Sequence, residues 1–137
     1  MKSRVLAASA LAAFVAFIAY IALFRFPATN PEPNWVPFRT IVSDWRYGGW
    51  EFVINFVGNL VAFLPMGLLP PLIRTRTKLW QAALFSFAIS FAIEAGQYVS
   101  GRRVPDVDDL ILNTAGGVLG YLAFTVSCRH SYPRAAP

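Results

Sequence analysis

Four long apolar runs, each about as long as a bilayer is thick, constrain this chain more than any other feature. The first, residues 5–24, is twenty residues without a charge. A helix rises about 1.5 Å per residue, so such a run covers the ~30 Å hydrocarbon core. Comparable runs occupy residues 52–73, 79–99 and 110–128. Composition agrees: 56% of the 137 residues are hydrophobic and 14% are charged, against about 45–50% and about 25% in a soluble domain. The expected architecture is all-α: one polytopic membrane domain over residues 1–137, with four transmembrane helices in a small bundle.

Lys2 and Arg4 precede the first run, as they would in a signal peptide. Signal-peptide apolar cores are about 7–15 residues long. This run is longer and no small-x-small cleavage site follows, so it reads as an uncleaved first span. The net charge is +5, from twelve Lys and Arg against seven acids. The basic residues fall in short clusters between apolar runs, the pattern that encodes membrane topology. No basic helix or nucleic-acid motif is present, so no nucleic-acid partner is expected. Lys2, Arg4, Arg74, Arg76, Lys78, Arg129 and Arg134 fall on one side of a four-span arrangement. Arg25, Arg39, Arg46, Arg102 and Arg103 fall on the other. The tight "RTRTK" turn concentrates charge on the first side, which predicts both termini in the cytoplasm. Cys128 is the only cysteine, so no intrachain disulfide forms, and its neighbour His130 makes an improbable catalytic partner.

The connector, residues 25–50, contains "FPATNPEPNWVPF", whose Pro and Asn residues resist regular helix. Trp35, Phe38, Trp45, Tyr47 and Trp50 stud it. Aromatic residues of this kind favour the headgroup layer, so the connector is expected on the membrane surface.

Polar residues inside the spans gather at one end. Glu51, Asn55 and Asn59 are spaced i, i+4, i+8 on the second span. Ser86, Ser90, Glu94 and Gln97 form a stripe on the third, and Asp106, Asp109 and Asn113 follow i, i+3, i+7 at the start of the fourth. Such spacings place each set on one helical face. A lipid-facing carboxylate costs roughly 2.5–3.5 kcal/mol on insertion scales, so the stripes are expected to turn inward and pair. Arg102 and Arg103 are the expected partners of Glu94, Asp106, Asp108 and Asp109. The result would be an outward-facing polar pocket or funnel.

Architectural readings stand beside this one. Asp106 and Asp108 would serve as N-caps of the fourth helix. Asn55, Asn59 and Asn113 would be interhelical hydrogen-bonding glue. Ser86 and Ser90 would pack or bond back to the preceding turn. Glu94 is an ionisable group within a span, which marks a functional site by default, and Asp109 is weighed with it. Gly116, Gly117 and Gly120 continue the Asp109–Asn113 face and are expected to allow close helix packing, as are Gly58 and Gly67.

Four stretches together resemble the VanZ-like family of membrane proteins, named for a protein of glycopeptide-resistance clusters. They are "NWVPFRTI" at 34–41, "NFVGNLVAFLPMGLLPPL" at 55–72, "SFAIEAGQY" at 90–98 and "GRRVPDVDDLILNTAGGVLGY" at 101–121. The resemblance covers residues 34–121. It carries over Asn55, Asn59, Phe63, Pro65 and Gly67, the Glu94 and Gln97 pair, and Arg103, Asp106, Asp109, Asn113, Thr114 and Gly116. Pro105 departs from the aromatic or aliphatic residue expected there, and the additional Arg102 leaves the arginine assignment open.

The resemblance implies a multi-pass protein of the bacterial cytoplasmic membrane. It also implies a link to reduced sensitivity to teicoplanin, a lipidated glycopeptide. Three functions fit. The first is engagement of membrane lipids, and of a lipid-linked envelope precursor or a lipoglycopeptide, through Asn55, Asn59, Glu94, Gln97, Arg102, Arg103, Asp106, Asp109 and Asn113. The second is an intramembrane enzyme on a lipid headgroup, with Glu94 as base, an arginine on phosphate and Mg²⁺ held by Asp106, Asp108 and Asp109. The third is a structural or assembly subunit. No resident cofactor or metal is expected from the first or third reading, and the sequence leaves the oligomeric state undecided.

Overall fold

In lipid no water is present to satisfy backbone groups, so an apolar run that crosses the bilayer must bond to itself along a helix. The computed structural model describes residues 2–25, 32–74, 76–101 and 104–131. Within them four helices are long and apolar enough to cross a membrane: Ser3–Phe24, Val53–Ile73, Leu79–Ser100 and Val107–Ser127. The elements in order are α1 (Lys2–Tyr20), α2 (Arg39–Tyr47), α3 (Gly49–Phe52), α4 (Gly58–Ile73), α5 (Leu79–Ser100) and α6 (Val107–Ser131). Ile21–Arg25 continues α1 as a π-helical turn, and Val53–Val57 joins α3 to α4 in the same way. No strand occurs among the described residues.

The spans agree with the apolar runs to within a few residues. The exception is the last, which begins at Val107 rather than at residue 110 and takes Asp108 and Asp109 into its first turn. The connector also differs from expectation. Its described residues 32–38 form no helix, but Arg39–Tyr47 forms a nine-residue helix. Trp45 packs edge-on against Phe52 with ring centroids 5.4 Å apart, and Phe52 stacks on Phe56 at 5.0 Å. These rings join α2 to the start of the second span.

Side-chain pairs fix how the helices run. Leu60 meets Gly116 and Leu64 meets Gly120, so α4 and α6 are parallel. Ser90 bonds to Asn113 while Ser86 meets Gly117, so α5 and α6 are antiparallel. Gln97 near the end of α5 bonds to Ala22 at the end of the first span. One end of the bundle therefore collects the start of α4, the end of α5, the start of α6 and the end of the first span. At the opposite end Tyr121 Oη donates to the carbonyl of Thr77, in the basic turn, at 3.0 Å.

The α4–α6 contact is the most extensive in the bundle, and small residues make it possible. A Cβ at Gly67 would lie 1.7 Å from the Gly117 carbonyl oxygen, and one at Gly120 would lie 2.0 Å from that of Leu64. The two backbones touch, which only glycine permits. Pro65, Pro70 and Pro71 sit inside α4, each withholding a donor from the turn before it. Arg74 N–H and Thr77 Oγ1 both reach the Pro70 carbonyl, closing the end of the helix. Phe63, Met66 and Ile93 form the buried apolar cluster, with Leu11, Phe14, Val15 and Ile18 of α1 against it.

Backbone contact gives a direct test. Gly67→Ala forces α4 and α6 apart and is expected to destabilise the protein in detergent by about 1–3 kcal/mol, the usual range for overpacking. Gly58, expected at a close helix contact, is not at one: a Cβ there would find only the Val53 carbonyl oxygen at 4.0 Å, so Gly58→Ala is expected to melt like wild type. Equal melting temperatures for the two variants would contradict the contact.

Candidate functional site at the polar end

Where two helices begin side by side, their unpaired N–H groups and positive dipole ends attract carboxylates. The polar end of this bundle has that arrangement. Asp106 immediately precedes α6, and its Oδ1 accepts the Asp108 N–H at 2.8 Å, which caps that helix. Asp108, 1% exposed, does not join it in capping α6. Its Oδ1 accepts the Phe38 N–H, and its Oδ2 accepts those of Thr40 at 2.7 Å and Ile41 at 3.1 Å. It therefore caps α2, a helix some seventy residues earlier in the chain. Phe38, the residue before α2, has φ 66° and no capping side-chain bond of its own. Non-glycine residues rarely adopt that conformation, and here Asp108 holds it.

A second set of bonds fastens the same joint. The Asn34 N–H donates to the Pro105 carbonyl and the Val107 N–H donates to the Asn34 carbonyl, both at 3.0 Å. Asn34 Nδ2 donates to Asp106 Oδ1 at 2.8 Å and to Thr40 Oγ1 at 3.0 Å, and Thr40 Oγ1 donates to Asp106 Oδ2 at 2.6 Å. Both carboxylate oxygens of Asp106 and both of Asp108 are thus engaged by groups of the connector or of α6 itself.

Deeper in the bundle the stripes on three helices meet. Glu94 is 9% exposed, and its Oε2 accepts the Asp106 N–H at 3.0 Å. Asn59 Nδ2 donates to Asp109 Oδ1 at 2.6 Å, joining α4 to α6. Asn113 Nδ2 donates to Ser90 Oγ at 2.9 Å, joining α6 to α5. Ser86 Oγ bonds back to the Ala82 carbonyl at 2.9 Å. Gln97 Nε2 donates to the Ala22 carbonyl at 3.2 Å. That carbonyl lies in the π-helical turn ending the first span, where the normal helical bonding is displaced.

The structure therefore gathers Asn59, Glu94, Gln97, Asp106, Asp109 and Asn113 at one end. It does not gather Asn55, which is exposed and donates to Asp44 Oδ2 at 2.9 Å. Arg102 and Arg103 lie outside the described residues, as does the side chain of Glu51. The three aspartates that the enzyme reading would place on Mg²⁺ diverge: Asp106 and Asp108 turn to the connector and Asp109 to α4. Among the described residues no group of three or more His, Cys, Asp or Glu is placed to hold a metal ion. Asn34 and Thr40 belong to the site and carry no signal in the sequence beyond their place in the "NWVPFRTI" stretch, which assigns them no role; Asp108, expected as a cap of the fourth helix or an arginine partner, instead caps α2.

Exposed large apolar side chains are numerous on the remaining described surface. A cavity of about 700 Å³ runs between α5 and α6, lined by Phe87, Val107, Leu110, Ile111, Val118 and Leu119 among others. Trp35, Phe38, Val42, Trp45 and Trp50 are exposed around α2, beside the polar end.

A bundle of four membrane-length helices, closed at one end by interlocked carboxylates and amides, defines a multi-span membrane protein with a polar head. The chain belongs to the VanZ/LLP1 family, whose model matches residues 8–128. No curated protein and no solved structure matches it.

Asp108 is the residue to test. Asp108→Leu keeps the approximate size but removes both acceptor oxygens, leaving the Phe38, Thr40 and Ile41 N–H groups unanswered. It is expected to destabilise the protein by about 1.5–3 kcal/mol, the range for hydrogen bonds to a charged group. Hydrogen exchange should localise the effect, with the Thr40 and Ile41 amides losing protection and the middle of α6 keeping it. Unchanged exchange at Thr40 would refute the cap.

Proposed function

We propose that the polar end of this bundle engages a lipid-linked component of the bacterial cell envelope, and that the protein alters susceptibility to teicoplanin in cells exposed to it. The observation that carries this reading is Glu94. It is an ionisable side chain inside a membrane span, buried together with Gln97, Ser90 and Asn113. Buried polar groups in a span are costly and mark sites at which a polar guest or partner is met. The exposed aromatic residues around α2 lie at the same end, where they suit the headgroup layer and would meet a ligand arriving along the membrane. In this reading the polar end faces outward and both termini are cytoplasmic, as the basic turn between α4 and α5 favours. Family membership supports the teicoplanin link at the level of the family alone.

The test is drug susceptibility on expression in a sensitive bacterium. Teicoplanin susceptibility is expected to shift several-fold, and that to vancomycin, which lacks the acyl tail, much less. Glu94→Gln should abolish the shift at equal membrane abundance. Equal shifts for both drugs, or full activity of Glu94→Gln, would defeat the proposal.

A second reading has its own observation. Asp106, Asp108, Asn34 and Thr40 spend their bonds on holding α2 against α6, which is what a structural or assembly subunit would need. It predicts that Glu94→Gln and Asp109→Asn leave any phenotype intact, while Asp108→Leu removes it.

A further inference from the structure

Asn113 is 5% exposed and Ser90 is fully buried. Asn113 Nδ2 donates to Ser90 Oγ, and Asn113 Oδ1 is buried with no hydrogen-bond partner. The Ser90 hydroxyl accepts that bond, and its own proton reaches no acceptor among the described residues. A buried donor and a buried acceptor thus lie side by side, each unanswered. Buried polar groups are rarely left so.

Turning the Asn113 amide through 180° does not remove the mismatch. Ser90 would then donate to Oδ1, and the two Nδ2 hydrogens would be unanswered instead. The pair lacks a partner in either orientation, and the two orientations ask for different ones. A cation would satisfy Oδ1 but not the Ser90 proton. An anion would satisfy the amide hydrogens of the turned orientation, but only by burying a further negative charge inside a membrane span, close to Glu94 and Asp109. A hydroxyl group both donates and accepts, so it answers every arrangement.

The surroundings define a closed end. One turn toward the polar end stands the Asn59–Asp109 bond. One turn the other way, Ser86 bonds to Ala82, and a Cβ on Gly117 would fall 1.9 Å from Ser86 Oγ, so helix contact shuts the column there. Beyond it lie fully buried Met66 and Ala82. The polar column therefore ends inside the bundle and does not cross it.

We propose that Ser90 and Asn113 form the inner subsite of this column and bind a hydroxyl group, supplied either by an ordered water or by an alcohol of a lipid headgroup. Two polar partners are the minimum that holds a buried water. The lipid source rests on the lipid-linked ligand proposed above, whereas the water source stands without it.

Radiolytic footprinting in ¹⁸O water reads bound water through oxidation of adjacent side chains. The reporters are Ile93, one turn from Ser90, and Phe63, which packs in the same buried cluster. Exposed Trp50 serves as the internal control. The protein is reconstituted in nanodiscs of phosphatidylcholine, which has no free hydroxyl, or of phosphatidylglycerol, which has two. Wild type in phosphatidylcholine should label these buried reporters several-fold more than Ser90→Ala/Asn113→Leu, with Trp50 unchanged. Equal labelling in phosphatidylglycerol assigns the subsite to water, and suppressed labelling there assigns it to the lipid alcohol. If the double variant does not fold, Ser90→Ala alone is expected to reduce labelling in the same direction. No reporter labelling in either lipid while Trp50 is oxidised, or labelling indifferent to the substitutions, overturns the proposal. Drug susceptibility does not enter this readout, so the subsite and the envelope function can fail separately.

Discussion

The joint between Asp108 and the start of α2 is the interaction on which the polar end depends. One buried carboxylate accepts three backbone N–H groups of another element. It also sits in the first turn of α6, so two helix N-termini share it. Each contributes a positive dipole end, and the attraction is strongest within the terminal turn. This accounts for so much negative charge at the mouth of an apolar helix: the acids neutralise two helix starts at once. It also explains why the connector is not a free loop. Without Asp108, Phe38 would hold an unfavourable φ with nothing to offset it.

The glycine contacts fix the register of α4 against α6, on which the inner part of the polar end depends. A parallel pair whose backbones touch at Gly67, Gly116 and Gly120 has little freedom to slide. Its alignment brings Asn59 opposite Asp109, and the antiparallel α5 then delivers Glu94 and Ser90 to the same region. In lipid there is no hydrophobic drive between helices, so packing and interhelical bonds must do this work together. The glycines supply the first and the polar column supplies the second.

The spans, the glycine packing and the family were legible in the sequence because each depends on local pattern: run length, small-residue spacing and ordered motifs. Helix α2 was not, because its cap comes from Asp108 and no neighbouring residue announces it. Helix α6 starts three residues before its apolar run, because the acids in its first turn are held by partners distant in sequence. Asn55 and Asn59 illustrate a third failure. Their i, i+4 spacing places both on one face of an α-helix, but Val53–Val57 is a π-helical turn. Such a turn closes i→i+5 bonds and fits extra residues into each circuit, so the stripe slips. Asn59 faces α6 and Asn55 is left outside with Asp44.

The acids of the motif divide by how they are satisfied, and the division bears on function. Asp106 and Asp108 are answered by the chain's own N–H, amide and hydroxyl groups, so a ligand would have to displace architecture to reach them. Asn113 and Ser90 are not fully answered. They lie deeper, where an unmade hydrogen bond is most costly because the dielectric is low. Binding free energy is gained where a guest completes bonds that the protein leaves incomplete. On the proposed reading, selectivity for a ligand would belong to the inner α5–α6 pair, and the conspicuous aspartates are architecture that joins α2 to α6.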